Sequence, residues 1–230
     1  MGECIGCMRG VPKLWNHVRA FAFVALLAAV LGSGCAELNR TVYSRASEGE
    51  TRVQPGYSTY TEPQASTSLA LEQADLEIHV YNARMSFSML FAFFVVPVPL
   101  RPEYCETEFF QLCIDVRPKV PGLSFDPFQP VVHSEKDSFS PVLVMMSRSC
   151  ADCPYPSKVG DDEPVVRGPP VEVTTARGFH LLFWVEPLSA DEPFTLEVGG
   201  LALGEHPLPA PILRFERETM WSYHVMPLGR

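Results

Sequence analysis

Residues 109–116 read FFQLCIDV, and the alternation within this stretch decides the fold. Phe110, Leu112, Ile114 and Val116 fall on one side of an extended chain, with Gln111, Cys113 and Asp115 on the other. Successive side chains of a strand point to opposite faces, whereas a helix would scatter the same four apolar residues around its axis. The same period recurs in DLEIHVYNA, residues 75–83, where Leu76, Ile78 and Val80 oppose Glu77, His79 and Tyr81. FTLEVGG, residues 194–200, sets Phe194, Leu196 and Val198 inward.

Other stretches fit the same pattern. PVLVMMS (141–147) and VEVTT (171–175) are short β-type runs, and PILRFERE and MWSYHVM finish the chain. GFHLLFWVE (178–186) is apolar on both faces, so Leu182 and Trp184 are expected to be covered along with Leu181 and Phe183. The late aromatic residues Phe179, Phe183, Trp184, Phe194, Phe215, Trp221 and Tyr223 are expected to lie mostly in a core. The chain holds 22 prolines, which argue against long helices. One short helix candidate is SLALEQA, residues 68–74. Period-2 runs separated by turn clusters predict an all-β chain, a single β-sandwich of Ig-like or similar type with eight or nine strands.

Outside the strands, the first 34 residues have a different organisation. Arg9, Lys13 and Arg19 precede a wholly apolar run, residues 20–31, and small residues follow it. A basic region, an apolar region of about 7–15 residues and a small-residue cleavage zone are the parts of a secretory signal peptide. A membrane-spanning helix needs about 20 apolar residues, more than this run supplies. Met8 would give a cleaner start than Met1, because Glu3 sits where basic residues belong. Gly6 rules out an N-myristoylation site, which needs Ser or Thr at that position.

Leu31-Gly32-Ser33-Gly34-Cys35 resembles the lipobox that ends the signal peptides of bacterial lipoproteins, with Gly32 standing where leucine is usual. The resemblance implies cleavage before Cys35, a thioether-linked diacylglycerol on Cys35 and acylation of the new amine. Several acyl chains hold a protein stably on a membrane, whereas one gives only marginal binding. Ala36 and Glu37 follow the cysteine, and the aspartate that marks inner-membrane retention in that family is absent. The resemblance therefore implies the periplasmic face of an outer membrane. Without it, Cys35 is a small residue beyond an ordinary cleavage site.

The expected organisation is a signal peptide over 1–34, a lipid-anchored flexible tether over 35–68 and a β-sandwich over 69–230. The tether expectation rests on the Ser, Thr, Glu, Gly and Pro content of 36–68, where the few apolar residues follow no period. Net charge is −9 for the whole chain and −11 once residues 1–34 are set aside. Such a surface does not invite nucleic acid, which wants basic patches.

Of seven cysteines, Cys105, Cys113, Cys150 and Cys153 are disulfide candidates in an oxidising compartment. Four cysteines allow three connectivities. Neighbour pairing, Cys105 with Cys113 and Cys150 with Cys153, is the first expectation, and so short a loop between the first two contributes about 2.5 kcal/mol. CADCPYP, residues 150–156, has CxxC spacing, but Pro154 and Pro156 fall where the helix of a thioredoxin-type site should continue. A zinc site built from the four cysteines is a lesser alternative.

The longest apolar run of the mature chain lies in MSFSMLFAFFVVPVPLRP, residues 85–102. It reads as a strand buried on both faces, or as a ligand or partner surface through Met89, Phe91, Phe93 and Val95. Asp161, Asp162 and Glu163 are adjacent, without the spacing of a calcium loop. The mature histidines, His79, His133, His180, His206 and His224, share no metal-ligand spacing, and His79, His180 and His224 are expected on outward or half-buried faces. No GxSxG, HExxH, P-loop or GxGxxG is present. The expectation is a non-catalytic envelope protein with no cofactor or metal, held to a membrane by its lipid and meeting an envelope protein partner. A thiol–disulfide or metal-handling protein using Cys150 and Cys153, or an apolar-ligand carrier using residues 85–100, are the alternatives.

Overall fold

The computed structural model describes residues 34–55, 63–92, 96–100, 109–150, 163–186 and 188–227. The strands in chain order begin with β1 (Gly34–Ala46), β2 (Glu50–Gln54), β3 (Gln64–Ala70), β4 (Ala74–Val80), β5 (Arg84–Ala92) and β6 (Val96–Leu100). There follow β7 (Phe110–Pro118), β8 (Leu123–Phe125), β9 (Val131–His133), β10 (Ser138–Phe139), β11 (Leu143–Ser147) and β12 (Glu163–Pro164). The last six are β13 (Val171–Glu172), β14 (Arg177–Phe183), β15 (Phe194–Glu197), β16 (Leu201–Leu203), β17 (His206–Pro207) and β18 (Ile212–Pro227). The fold is all-β, and no helix occurs among the described residues.

Three sheets result. The first has the order β10-β9-β15-β18-β1-β5-β6, the second β12-β11-β14-β7-β4-β3-β2, and the third is the small sheet β13-β8-β16-β17. The second sheet is antiparallel from β12 to β2, with Ile114 opposite both Ile78 on β4 and Phe179 on β14. The alternation read in residues 75–83, 109–116 and 194–200 is the alternation observed. Leu76, Ile78, Leu112, Ile114, Phe179, Leu181 and Phe183 of the second sheet face a shared core with Val132, Leu196, Leu213 and Phe215 of the first and Leu123 and Phe125 of the third. Sheets meeting face to face over an apolar layer make this a β-sandwich. The layer is rich in ring contacts: Phe125 meets Phe179 edge-on at 5.0 Å, and Phe194 stacks on Phe215 at 4.7 Å.

The structure departs from expectation in six places. Eighteen strands form among the described residues where eight or nine were expected, because pieces of only two residues, such as β10, β12, β13 and β17, add to the sheet edges. Residues expected as a flexible tether instead include β1, β2 and β3, which pair within the first and second sheets. Val42, Tyr43 and Ala46 are buried, as are the small polar residues Thr41 and Ser44. A polar composition is compatible with a strand here because β1 has a neighbour on each side, so its backbone groups are satisfied whatever its side chains.

The helix candidate at 68–74 is the turn between β3 and β4, closed by the Leu71 N–H donating to the Ala74 carbonyl. The two runs expected near the end are one strand, β18. The face carrying Leu182 is only partly covered, and Trp184 is 75% exposed. Trp221 and Tyr223 are exposed rather than core.

The chain clusters into two compact units. In the first, the described residues are 34–38, 89–92, 96–100 and 223–227. The second unit contains 39–88 and 101–222. Within the second unit β1 is tied to β18 across a long sequence interval. Ser47 N–H donates to the Arg214 carbonyl at 2.8 Å, and Arg45 pairs with Glu218 at 3.1 Å.

Candidate functional site

The second sheet has another face, turned away from the apolar core, and it is also buried at its centre. On β4 it carries Glu77 and His79, on β7 Cys113 and Asp115, on β14 Gly178 and His180, and on β11 Ser147. Register brings these into two rows. His79, Cys113 and His180 lie side by side, and so do Glu77, Asp115, Gly178 and Ser147. Cys113 is fully buried, and His79, Asp115 and His180 are 7%, 3% and 5% exposed.

What covers them is the short segment that follows β11. A disulfide joins Cys150 to Cys113, closing 37 residues. The Asp115 carboxylate holds the same segment from below. Its Oδ1 accepts the Cys150 N–H at 2.8 Å, and its Oδ2 accepts the Ser149 hydroxyl at 3.2 Å. The Ser147 hydroxyl donates to the Ser149 carbonyl at 3.2 Å, and the same oxygen lies 3.2 Å from His180 Nε2. Gly178 makes this close approach possible. A Cβ there would lie 2.8 Å from Cys150 N, 2.8 Å from Ser147 Oγ and 2.9 Å from Asp115 Oδ1.

His79 is the unusual member. Its Nε2 is buried without a hydrogen-bond partner. Two carboxylates face it from just beyond hydrogen-bond range, Glu77 Oε1 at 3.8 Å and Asp115 Oδ2 at 3.9 Å. Burial holds the imidazole below its ordinary pKa, against the opposing pull of Glu77 and Asp115, and the Arg117 charge adds to the lowering. Arg117 engages the other side of Glu77 at 2.8 Å, and the Ser66 hydroxyl donates to Glu77 Oε1 at 3.3 Å. A neutral imidazole in this position keeps a lone pair available.

The disulfide corrects the neighbour pairing expected from sequence. Cys113 bonds to Cys150, so Cys150 is not paired with Cys153, and a redox pair of Cys150 and Cys153 is not the arrangement found. The reason is register: β7 and β11 both flank β14, which brings the end of β11 across to Cys113. Cys105 and Cys153 lie outside the described residues, as do Phe93, Val95, Asp161 and Asp162. Met89 is half-buried on β5, and the backbone of Phe91 belongs to the same strand. Cys35 belongs to β1. His79 and His180 are more buried than the outward positions expected of them.

Sequence reasoning missed His79, Asp115, His180 and Ser147 as a group. One signal was present: Asp115 interrupts a strand whose other residues are apolar or uncharged over 110–116, and an acid in a central strand needs partners. Elsewhere, His133 Nδ1 lies 2.7 Å from the Ser138 hydroxyl, and its Nε2 lies 3.6 Å from Glu197, with both side chains partly exposed. No family model, curated protein or solved structure matches this chain.

Proposed function

We propose that this is a lipid-anchored cell-envelope protein whose β-sandwich serves as a non-catalytic binding or structural module for an envelope partner. The observation that carries the reading is the buried Cys113–Cys150 disulfide at the centre of the second sheet. Disulfides persist in oxidising compartments and are rare in the cytosol, so an exported chain accounts for it. The export signal is supplied by residues 9–34, and the lipobox-like LGSGC places the anchor on Cys35.

The strand β1 changes the geometry of that anchor. Since β1 runs over Gly34–Ala46, a lipid on Cys35 joins an ordered strand directly rather than a long coil. A partner embedded in or resting on that membrane would be within reach of the anchored chain.

Labelled fatty acid supplied to cells expressing the chain tests the anchor. The native protein takes up label and fractionates with membranes, and Cys35→Ser does neither. Uptake and membrane association that survive Cys35→Ser overturn the reading. Crosslinking in the native envelope then identifies the partner, and its absence at good expression counts against the binding role.

A further inference from the structure

The buried polar face of the second sheet holds more chemistry than a structural staple requires. A disulfide stitched across strands needs no imidazole beside it and no second carboxylate aimed at that imidazole. Yet His79, Asp115 and Cys150 each offer a ligand atom, all within 4.8 Å of one another, and all three residues are buried. His79 Nε2 is aimed into this cluster with no hydrogen-bond partner, on a residue 7% exposed. A buried nitrogen left unpaired gives up its hydration with no bond in exchange.

We propose that the Cys113–Cys150 disulfide masks a site for a zinc-type divalent ion, formed on reduction by the two thiolates, the His79 imidazole and the Asp115 carboxylate. Two electrons and two protons pass from a dithiol donor to the disulfide, the sulfur–sulfur bond breaks, and the donor leaves as its own disulfide. Metal binding then displaces the thiol protons to solvent. Four ligands of sulfur, nitrogen and oxygen suit tetrahedral zinc and do not suit calcium or magnesium, which take oxygen.

For one pair of ligand atoms the spacing is already close to what that ion needs. Bonds of about 2.0–2.3 Å in a tetrahedron put ligand atoms about 3.4–3.8 Å apart, and His79 Nε2 already lies 3.9 Å from Asp115 Oδ2. Asp115 is steadied through its other oxygen by the Cys150 N–H. It need give up only the Ser149 hydroxyl bond on Oδ2. Glu77, held by Arg117 and Ser66, lies beside the imidazole, and the Arg117 charge offsets the excess negative charge that three anionic ligands leave around a divalent ion. The site would be closed while oxidised and open for metal while reduced, which couples the redox state of the protein's surroundings to metal occupancy. This inference does not rest on the lipid anchor and stands or falls separately from it.

The test uses the full chain, reduced with dithiothreitol, freed of reductant without air and titrated with cobalt(II) and then zinc. Thiolate-to-cobalt absorption reports sulfur ligation, and far-ultraviolet circular dichroism reports the sheets. The expected result is one equivalent bound at least tenfold more tightly by the reduced than by the oxidised protein. His79→Gln and Asp115→Asn each weaken binding at least tenfold, while Cys105→Ser and Cys153→Ser leave it unchanged. Should reduction melt the sheets, stoichiometric zinc must restore them. Equal affinity in both redox states overturns the proposal. So does binding indifferent to both His79→Gln and Asp115→Asn, or a melted reduced chain that zinc does not restore.

Discussion

The two faces of the second sheet are both buried at their centre, yet they are built from opposite materials. One presents Leu76, Ile78, Leu112, Ile114, Phe179 and Leu181 to the apolar core. The other presents Glu77, His79, Cys113, Asp115 and His180, with a covalent bond and a carboxylate holding a cover over them. The first face is stabilised by area removed from water, which is non-directional. The second depends on individual contacts, because each buried polar atom loses solvent and must find a partner. The faces should therefore fail differently when disturbed: the apolar one in proportion to volume, the polar one atom by atom.

The largest effect is expected on the apolar face. Phe179→Ala removes a fully buried ring that packs on Phe125 and should cost about 3–5 kcal/mol in denaturant unfolding. A loss under about 1 kcal/mol would mean that the core collapses around the gap and that volume does not govern this face. Next comes the staple. Replacing Cys113 and Cys150 together with alanine reopens a 37-residue loop, and the chain-entropy contribution lost is about 3–4 kcal/mol. Unfolding of the oxidised and substituted proteins compares them directly, and equal midpoints would show that the segment stays in place without its bond.

Gly178→Ala comes third. The added methyl meets backbone at Cys150 and the carboxylate of Asp115, so overpacking should cost about 1–3 kcal/mol. The loss should come with faster reduction of the disulfide in a thiol-exchange assay, and unchanged reduction would show that the cover yields without lifting.

A smaller effect is expected from pH. The folded His79 imidazole titrates below its unfolded value, so below about pH 6.5 the unfolded chain binds the extra proton first. Stability therefore falls as pH drops below that point, and His79→Gln should flatten this part of the curve. A wild-type curve that stays flat there would contradict the burial of this side chain. The smallest effect is expected from Trp184→Ala. This residue is 75% exposed, and its loss should move stability by no more than about 0.5 kcal/mol. A larger cost would show that the polar face extends past His180 as a covered surface.

The same contrast explains what could be read from the sequence. The apolar face was legible because period-2 patterning in 75–83 and 109–116 is a direct imprint of one buried side. The strands β1 and β3 were not legible. Their residues are mostly polar or small with only scattered apolar ones, and their order comes from neighbouring backbones that no local pattern records. The turn at 71–73 was hidden for a related reason, since Ala70, Leu71 and Ala74 fit a helical spacing as well as two strands meeting at a bend. The candidate site lay furthest from view. His79, Asp115 and Cys150 are separated by 36 and 35 residues, and only the register of four strands makes them neighbours. Cysteine spacing favoured the nearest partner, whereas the sheet order selected the one lying across β14.

The union of β1 with β18 has a consequence for how the molecule is made. Ser47 and Arg214 are 167 residues apart, and synthesis proceeds at about 5–20 residues per second. One flank of β1 must therefore wait about 10–30 s for its neighbour to leave the ribosome. Throughout that interval Val42 and Tyr43, buried in the finished sheet, have no β18 beside them. The first sheet is completed late, from contacts remote in sequence, which folds slowly compared with local pairing. A chain held open in this way exposes a sticky edge to any other strand nearby until the last segment arrives.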